Sequence, residues 1–203
     1  MPIVRTVANV TNTIMLNGML SLPAFPHIIL SADLIGGRIF CVDTTTGSVD
    51  VVLQDPLLSL SLSNQTSFAP LGVTGIKLRD NYMFFTNLAQ GTFDRVPVSP
   101  RGDVLCAVEI MANISLSAEA GVAYDDFAFD SYGIAFVALH PNSLVKIEPD
   151  GRETMIVGGG NSTLLQSPTS VALSTDGTKI YVVTGGAMDG GLSDGGQVIE
   201  VML

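Results

Sequence analysis

The chain has 203 residues, 47% of them apolar and 14% charged, with a net charge of −10. That is enough apolar material for a sizeable core, and too little basic charge for a nucleic-acid backbone or an anionic membrane surface as partner. With 21 glycines and no tryptophan, the composition favours short strands and many turns over long helices.

The opening IVRTVANV (residues 3–10) reads as the outer strand of a unit whose inner strands come earlier. The start shows no apolar h-region with a small-residue cleavage site, so a secretory leader is expected to have been removed. No apolar run approaches the ~20 residues that span a bilayer. Four N-glycosylation sequons, at Asn9, Asn64, Asn113 and Asn161, make the secretory pathway the expected location.

Residues 16–55 hold the first repeating unit, LNGML…HIILSAD…RIFCVD…VDVVLQD. Residues 72–112 repeat its order, with GIKLRD, NYMFFTN, TFDRVPV and a closing VLCAVEIM. Residues 124–160 spell it most plainly: DFAF, IAFVAL, LVKIE and ETMIV, separated by DSYG, HPNS and PDGR. Residues 167–203 give SPTSVALS, a Thr-Asp-Gly turn, KIYVV, a glycine-rich loop and QVIEVML. Short alternating strands with Gly, Pro, Asn and Asp between them read as consecutive hairpins. Four strands per unit, repeated at roughly 40–55 residues, match the blade of a β-propeller.

The expected fold is therefore all-β: one propeller domain over residues 1–203, with about four four-stranded antiparallel blades as part of a six-bladed ring. Residues 1–15 supply the outer strand of a preceding blade. An open ring exposes unpaired edges, so an N-terminal segment or a second copy is expected to complete it. Cys41 and Cys106 both sit in β-like runs and are expected to be ordinary buried thiols.

The order LNGML…ILSADLIGGRIFCVDTTTG, DDFAFDSYGIAFVA…NSLVKIEPDGR and SPTSVALSTDGTKIYVVTGG resembles the later blades of the senescence-marker-protein/gluconolactonase-like six-bladed propellers. It is most similar to their fungal secreted-type branch, which includes hetero-Diels–Alder cyclases of natural-product pathways. The lactonase members hold a divalent metal on the axis through a Glu, one or two Asn, and an Asp opening an inner strand. The resemblance carries this onto Asn17 and Asp126, with Ca or Zn as the ion; the Glu and the other Asn have no counterpart here. Locally, Asp126 also fits a turn cap and Asn17-Gly18 a tight turn. Asp125 reads as a solvent or turn residue.

No G-x-S-x-G elbow, metal-binding His pair or phosphate loop is present, and His27 and His140 both lie at proline bends. Asp189 and Asp194 sit in a glycine-rich loop without the spacing of a calcium site. Arg-Gly-Asp at 101–103 fills a hairpin-turn slot. In NYMFFTN, Tyr82, Phe84 and Thr86 share one side, and Met83, Phe85 and Asn87 the other.

The expected function is a cyclase of the hetero-Diels–Alderase type, working without a cofactor on an apolar small molecule in the funnel. Asn17, Tyr82, Asn87 and Asp126 are the expected polar catalytic lining, with Met19, Phe25, Phe84 and Tyr132 as ligand-binding surface. A metal-dependent lactonase, with Asn17 and Asp126 as ligands, is the alternative. A non-catalytic binding propeller is the second.

Overall fold

The computed structural model describes residues 2–60, 71–114, 121–186 and 195–203, with the backbone of 188–189 and 192–193. Asn64 and Asp194 lie outside the described residues, and of Asp189 only the backbone lies within them.

Four antiparallel sheets follow one another along the chain. The first is β1 (Leu16–Leu22), β2 (Phe25–Asp33), β3 (Arg38–Asp43) and β4 (Val49–Gln54). The second is β5 (Val73–Arg79), β6 (Tyr82–Asn87), β7 (Thr92–Pro97) and β8 (Glu109–Asn113). The third is β9 (Ala123–Phe129), β10 (Ala135–His140), β11 (Ser143–Ile147) and β12 (Glu153–Gly158). In the fourth, β13 (Pro168–Leu173) and β14 (Lys179–Thr184) are followed by a small hairpin, β15 (Met188–Asp189) and β16 (Leu192–Ser193), before β17 (Val198–Met202). Among the described residues this sheet has the order β13-β14-β17, three strands where four were expected, and the small hairpin stands apart from it as a two-stranded sheet.

The turns follow from their residues. Asp130 Oδ1 accepts from the backbone N–H of Tyr132 at 2.8 Å and of Ile134 at 2.9 Å, and Gly133 takes φ +88°. A short side-chain acceptor and a residue free to adopt positive φ reverse the chain in four residues.

The first strands β1, β5, β9 and β13 pack beside one another in chain order, and β13 does not return to pack on β1 as a neighbour. They are the inner strands of successive propeller blades. The core accordingly lies between blades, in three apolar layers. Leu30 and Ile39 meet Ile76, Met83 and Phe85 between the first two blades. Phe84 and Phe93 meet Phe127 and Val137 between the second and third. Phe136 and Leu144 meet Ile180 and Val182 between the third and fourth. Strand alternation in YMFFTN divides Phe84 from Met83 and Phe85, so β6 feeds two layers at once. Each buried Phe contributes about 1.5–3 kcal/mol.

Residues 2–15 were expected to supply an outer strand, and they form none. The stretch lies against the first blade: the Val7 carbonyl approaches Gly47, Arg38 donates to the Asn12 carbonyl at 2.7 Å and Leu34 N–H to that of Met15 at 3.0 Å. Cys106 lies in a bend, exposed, because the loop after β7 is pinned by Ser99 and Asp103 instead of entering the sheet. Cys41 is half-buried in β3, and both thiols are free.

Candidate functional site

Every inner strand carries the same irregularity near its start. Two residues stand opposite one on the next strand: Asn17 and Gly18 against Ala32, Thr74 and Gly75 against Thr86, Asp125 and Asp126 against Ala138, Thr169 and Ser170 against Val183. The tetrapeptides Leu-Asn-Gly-Met, Val-Thr-Gly-Ile, Tyr-Asp-Asp-Phe and Pro-Thr-Ser-Val are thus one repeated bulge. A bulge breaks the strict alternation of a strand and re-aims its side chains. This is why the chain can place two adjacent aspartates at one site.

The bulged residues connect blade to blade. Asn17 Nδ2 donates to Thr74 Oγ1 at 3.3 Å, and Thr74 Oγ1 donates to Asp125 Oδ1 at 3.0 Å. The other Asp125 oxygen lies 3.2 Å from His140 Nε2. The His140 side chain is 4% exposed and that of Asp125 16%, so this string ends in a protected imidazole–carboxylate pair. A second string lies one step further along the strands. Lys77 Nζ donates to Asp126 Oδ1 at 2.5 Å, and Ser170 Oγ donates to Asp126 Oδ2 at 2.8 Å. Lys77 also sits 5.3 Å from the centre of the Phe127 ring, a cation–π contact. At 35% and 26% exposure, the Lys77 and Asp126 side chains remain accessible.

Two glycines let the inner strands come this close. A Cβ on Gly18 would lie 2.1 Å from the Thr74 carbonyl oxygen, and one on Gly75 would lie 2.5 Å from Asp126 Oδ1.

The residues singled out in the sequence fall in three places. Asn17 and Asp126 are both on the inner strands, but on different strings: the carboxylate that Asn17 reaches through Thr74 belongs to Asp125. Asp125 is a bonded strand residue, not a turn residue, because the bulge turns it toward Thr74 and His140. His140 ends β10 in contact with it, not in an isolated bend. Tyr82, Phe84 and Tyr132 line a separate pocket of about 200 Å³ between the second and third blades, with Arg79, Arg95 and Phe129. Arg95 lies over the Tyr82 ring at 4.7 Å and Arg79 over Phe129 at 5.6 Å. Met19 is 68% exposed on the first blade, and Phe25 packs its ring under Arg101 at 4.8 Å.

Asn87, expected in the polar lining, is fully buried. Its Nδ2 donates to the carbonyls of Leu57 at 2.9 Å and Ser59 at 3.1 Å, and its Oδ1 accepts from Gln90 N–H at 3.0 Å. Asp33 ends β2 and accepts from the turn N–H of Gly36 in the same way, and Thr184, ending β14, accepts from Gln197 N–H at the entry to β17. Asn87 is the turn-pinning member of that set.

The residues do not fit a metal. A cation at Asp126 would face the Lys77 ammonium, and both carboxylate oxygens already accept from protein donors. Among the described residues no three His, Cys, Asp or Glu side chains converge on a common point.

Sequence reasoning missed Thr74, Lys77, Asp125, His140 and Ser170. Aligning the four inner-strand tetrapeptides would have found Thr74, Asp125 and Ser170; no spacing marks His140.

No protein-family profile matches the chain. A Phoma sp. protein named as a candidate hetero-Diels-Alderase is 28% identical over 155 residues, 73% of this chain and 42% of its own length. The chain thus spans less than half of that relative. Among solved structures, a gluconolactonase-titled protein is similar at TM-score 0.63 and 12% identity, over 98% of this chain and 66% of its own. Regucalcin from Agrobacterium tumefaciens, titled a calcium-binding protein, is similar at TM-score 0.59 and 19% identity, over 92% and 60%. The PQQ-bound aldose sugar dehydrogenase of Streptomyces coelicolor reaches TM-score 0.63 at 16% identity, over 92% and 60%. At these identities the structures establish the β-propeller fold and nothing further.

Proposed function

We propose that this propeller binds an apolar small molecule against its inner strands and promotes a hetero-Diels–Alder ring closure. The observation that carries this reading is the pair of polar strings spanning the blades, Asn17–Thr74–Asp125–His140 and Lys77–Asp126–Ser170. The relative in Phoma sp. supports the same reading.

Such a closure makes two σ bonds from π bonds and exchanges no proton, electron pair or leaving group with the protein. It requires the two reacting ends to be held at near-attack distance. It is accelerated by a donor aimed at the carbonyl-bearing partner. Lys77 is the strongest candidate donor. Its ammonium is oriented by Asp126, as Asp126 is by Ser170, so little reorganisation accompanies the reaction. Asn17, exposed at the end of the first string, is a second donor. Asp125 and His140 hold Thr74, and through it Asn17, in place.

The resemblance to lactonases favours a metal-dependent hydrolysis instead, but the Lys77–Asp126 ion pair opposes it.

The test is to generate an ortho-quinone-methide-type heterodiene beside an apolar polyene and compare ring-closed product with and without protein. Acceleration is expected, unaffected by chelator and lowered at least tenfold in Lys77→Met with an unchanged melt. No acceleration over background, or chelator-sensitive lactone hydrolysis, overturns the reading.

A further inference from the structure

A second concave site lies apart from the two polar strings. It is the pocket of about 200 Å³ between the second and third blades, and no residue of either string lines it. It sits at the ends of β5 and β9 remote from their bulges, where Arg79 closes one strand and Phe129 the other.

The floor of this pocket is aromatic. Phe84 and Phe93 are buried, and Phe129 packs against both. Phe84 meets Phe129 edge-on at 4.8 Å between ring centres, and lies nearly parallel to Phe93 at 5.9 Å. One more ring laid on such a cluster gains the same edge-to-face or offset contacts. Tyr132 adds a further ring at the lip, 83% exposed.

The wall is cationic. The chain has only nine Lys and Arg against 19 Asp and Glu, yet two arginines line this one pocket. Arg79 builds the mouth: it donates to the carbonyls of Asp130 at 2.5 Å and Ser131 at 2.9 Å, tying β5 to the β9–β10 turn. Arg95 is held from one side. Its Nε donates to Glu109 at 2.9 Å and its guanidinium lies over the Tyr82 ring at 4.7 Å, while Nη1 and Nη2 take no protein partner among the described residues. A guanidinium fixed in this way offers a two-pronged end, which binds a carboxylate through two parallel hydrogen bonds. The carboxylates at the rim leave that end open, because Asp80 is paired with Arg79 at 3.0 Å and Glu148 with Lys146 at 2.7 Å.

Size narrows the ligand. Sites for drug-sized molecules measure about 300–1,000 Å³; this one has room for a single ring with a short arm. An inorganic anion would leave the aromatic floor uncovered, and a hydrocarbon would leave the Arg95 end unused. We propose that the pocket binds a one-ring aromatic carboxylate, with its ring on Phe84, Phe93 and Phe129 and its carboxylate on the Nη groups of Arg95. Arg79 has already joined the two blades at the mouth, so binding requires no movement between them.

The experiment is an NMR titration of the full chain labelled with ¹³C at its methionine methyls. Met111 lines the pocket, whereas Met83 is buried between the first two blades and Met19 is exposed on the first. Benzoate and phenylacetate are expected to shift the Met111 methyl saturably, with a dissociation constant of about 1 mM or tighter, and to leave Met19 and Met83 in place. Benzamide, the uncharged counterpart of benzoate, and cyclohexanecarboxylate, which keeps the charge without the aromatic ring, are both expected to bind more weakly, benzamide at least tenfold. Arg95→Met with an unchanged melt should weaken benzoate at least tenfold; if that variant does not fold, the wild-type titrations alone decide. No saturable shift at Met111 overturns the proposal. So does benzamide binding as tightly as benzoate, or a benzoate affinity that Arg95→Met leaves unchanged. Binding lost in Lys77→Met but kept in Arg95→Met would place the acid at the polar strings and overturn it too.

Discussion

Thr74 donates its hydroxyl to Asp125 at 3.0 Å, from the inner strand of one blade to that of the next. The same hydroxyl accepts from Asn17 of the preceding blade at 3.3 Å, so one threonine ties three blades. Thr74→Val keeps the shape and removes both bonds. At about 1 kcal/mol per bond, a loss of about 1–2 kcal/mol is expected in a denaturant melt. If the reading of the site holds, the rate of ring closure falls as well, because Asn17 is no longer held.

Gly18 lies directly against the backbone of β5. Its added Cβ would lie 2.1 Å from the Thr74 carbonyl oxygen and 3.0 Å from the Ile76 nitrogen. Both are backbone atoms and cannot turn aside. Gly18→Ala is therefore expected to cost about 1–3 kcal/mol, the range for overpacking, and to separate the first blade from the second. A chemical melt measures the cost. An alanine variant as stable as wild type would show that the two strands are not this close.

Asn87 separates a structural role from a catalytic one. Its amide holds two loop carbonyls and one loop N–H in a fully buried setting. Asn87→Ala leaves these groups unsatisfied, at about 1–3 kcal/mol. The expected outcome is a lowered melting temperature with the ring-closure rate per folded molecule unchanged. A rate that falls while stability holds would return Asn87 to the chemistry.

The sequence shows most of the propeller because its signals are local. Alternation in IAFVAL or KIYVV, and Asp-Gly turns between runs, each specify a hairpin within a dozen residues. The inner-strand site was harder to see. A period-two reading of Tyr124–Phe127 puts Asp125 and Asp126 on opposite sides and sends one of them to solvent. The bulge against Ala138 breaks that alternation, and only the pairing register reveals it. His140 is brought to Asp125 by the β9–β10 hairpin, at a separation of 15 residues that no motif encodes. Asn87 was legible only as a polar residue ending a strand, which looks the same whether it faces a ligand or pins its own turn; the structure shows the turn bonds.

Asp94 gives the chain a pH dependence of its own. It is fully buried on β7 beside the first blade, and Thr92 Oγ1 donates to its Oδ2 at 2.6 Å. Burial pushes its pKa up to about 7 from an ordinary 3.8; the Thr92 bond opposes the shift and the nearby charge of Asp55 adds to it. Between these two values the folded protein keeps a proton that the unfolded chain has released. Stability therefore falls as pH rises through that window and levels off above it. Asp33 acts outside this range. Burial raises its pKa, but bonds from the Gly36 N–H and Arg38 outweigh that and hold it below the usual carboxylate value, so its contribution is lost only as pH falls below about 3.8. Asp94→Asn keeps the size of the side chain and removes the titration. Melting temperatures from pH 5 to pH 8 are expected to fall in wild type relative to the variant, with the variant more stable at pH 8. Parallel pH profiles for the two proteins would show that Asp94 titrates alike in the folded and unfolded states.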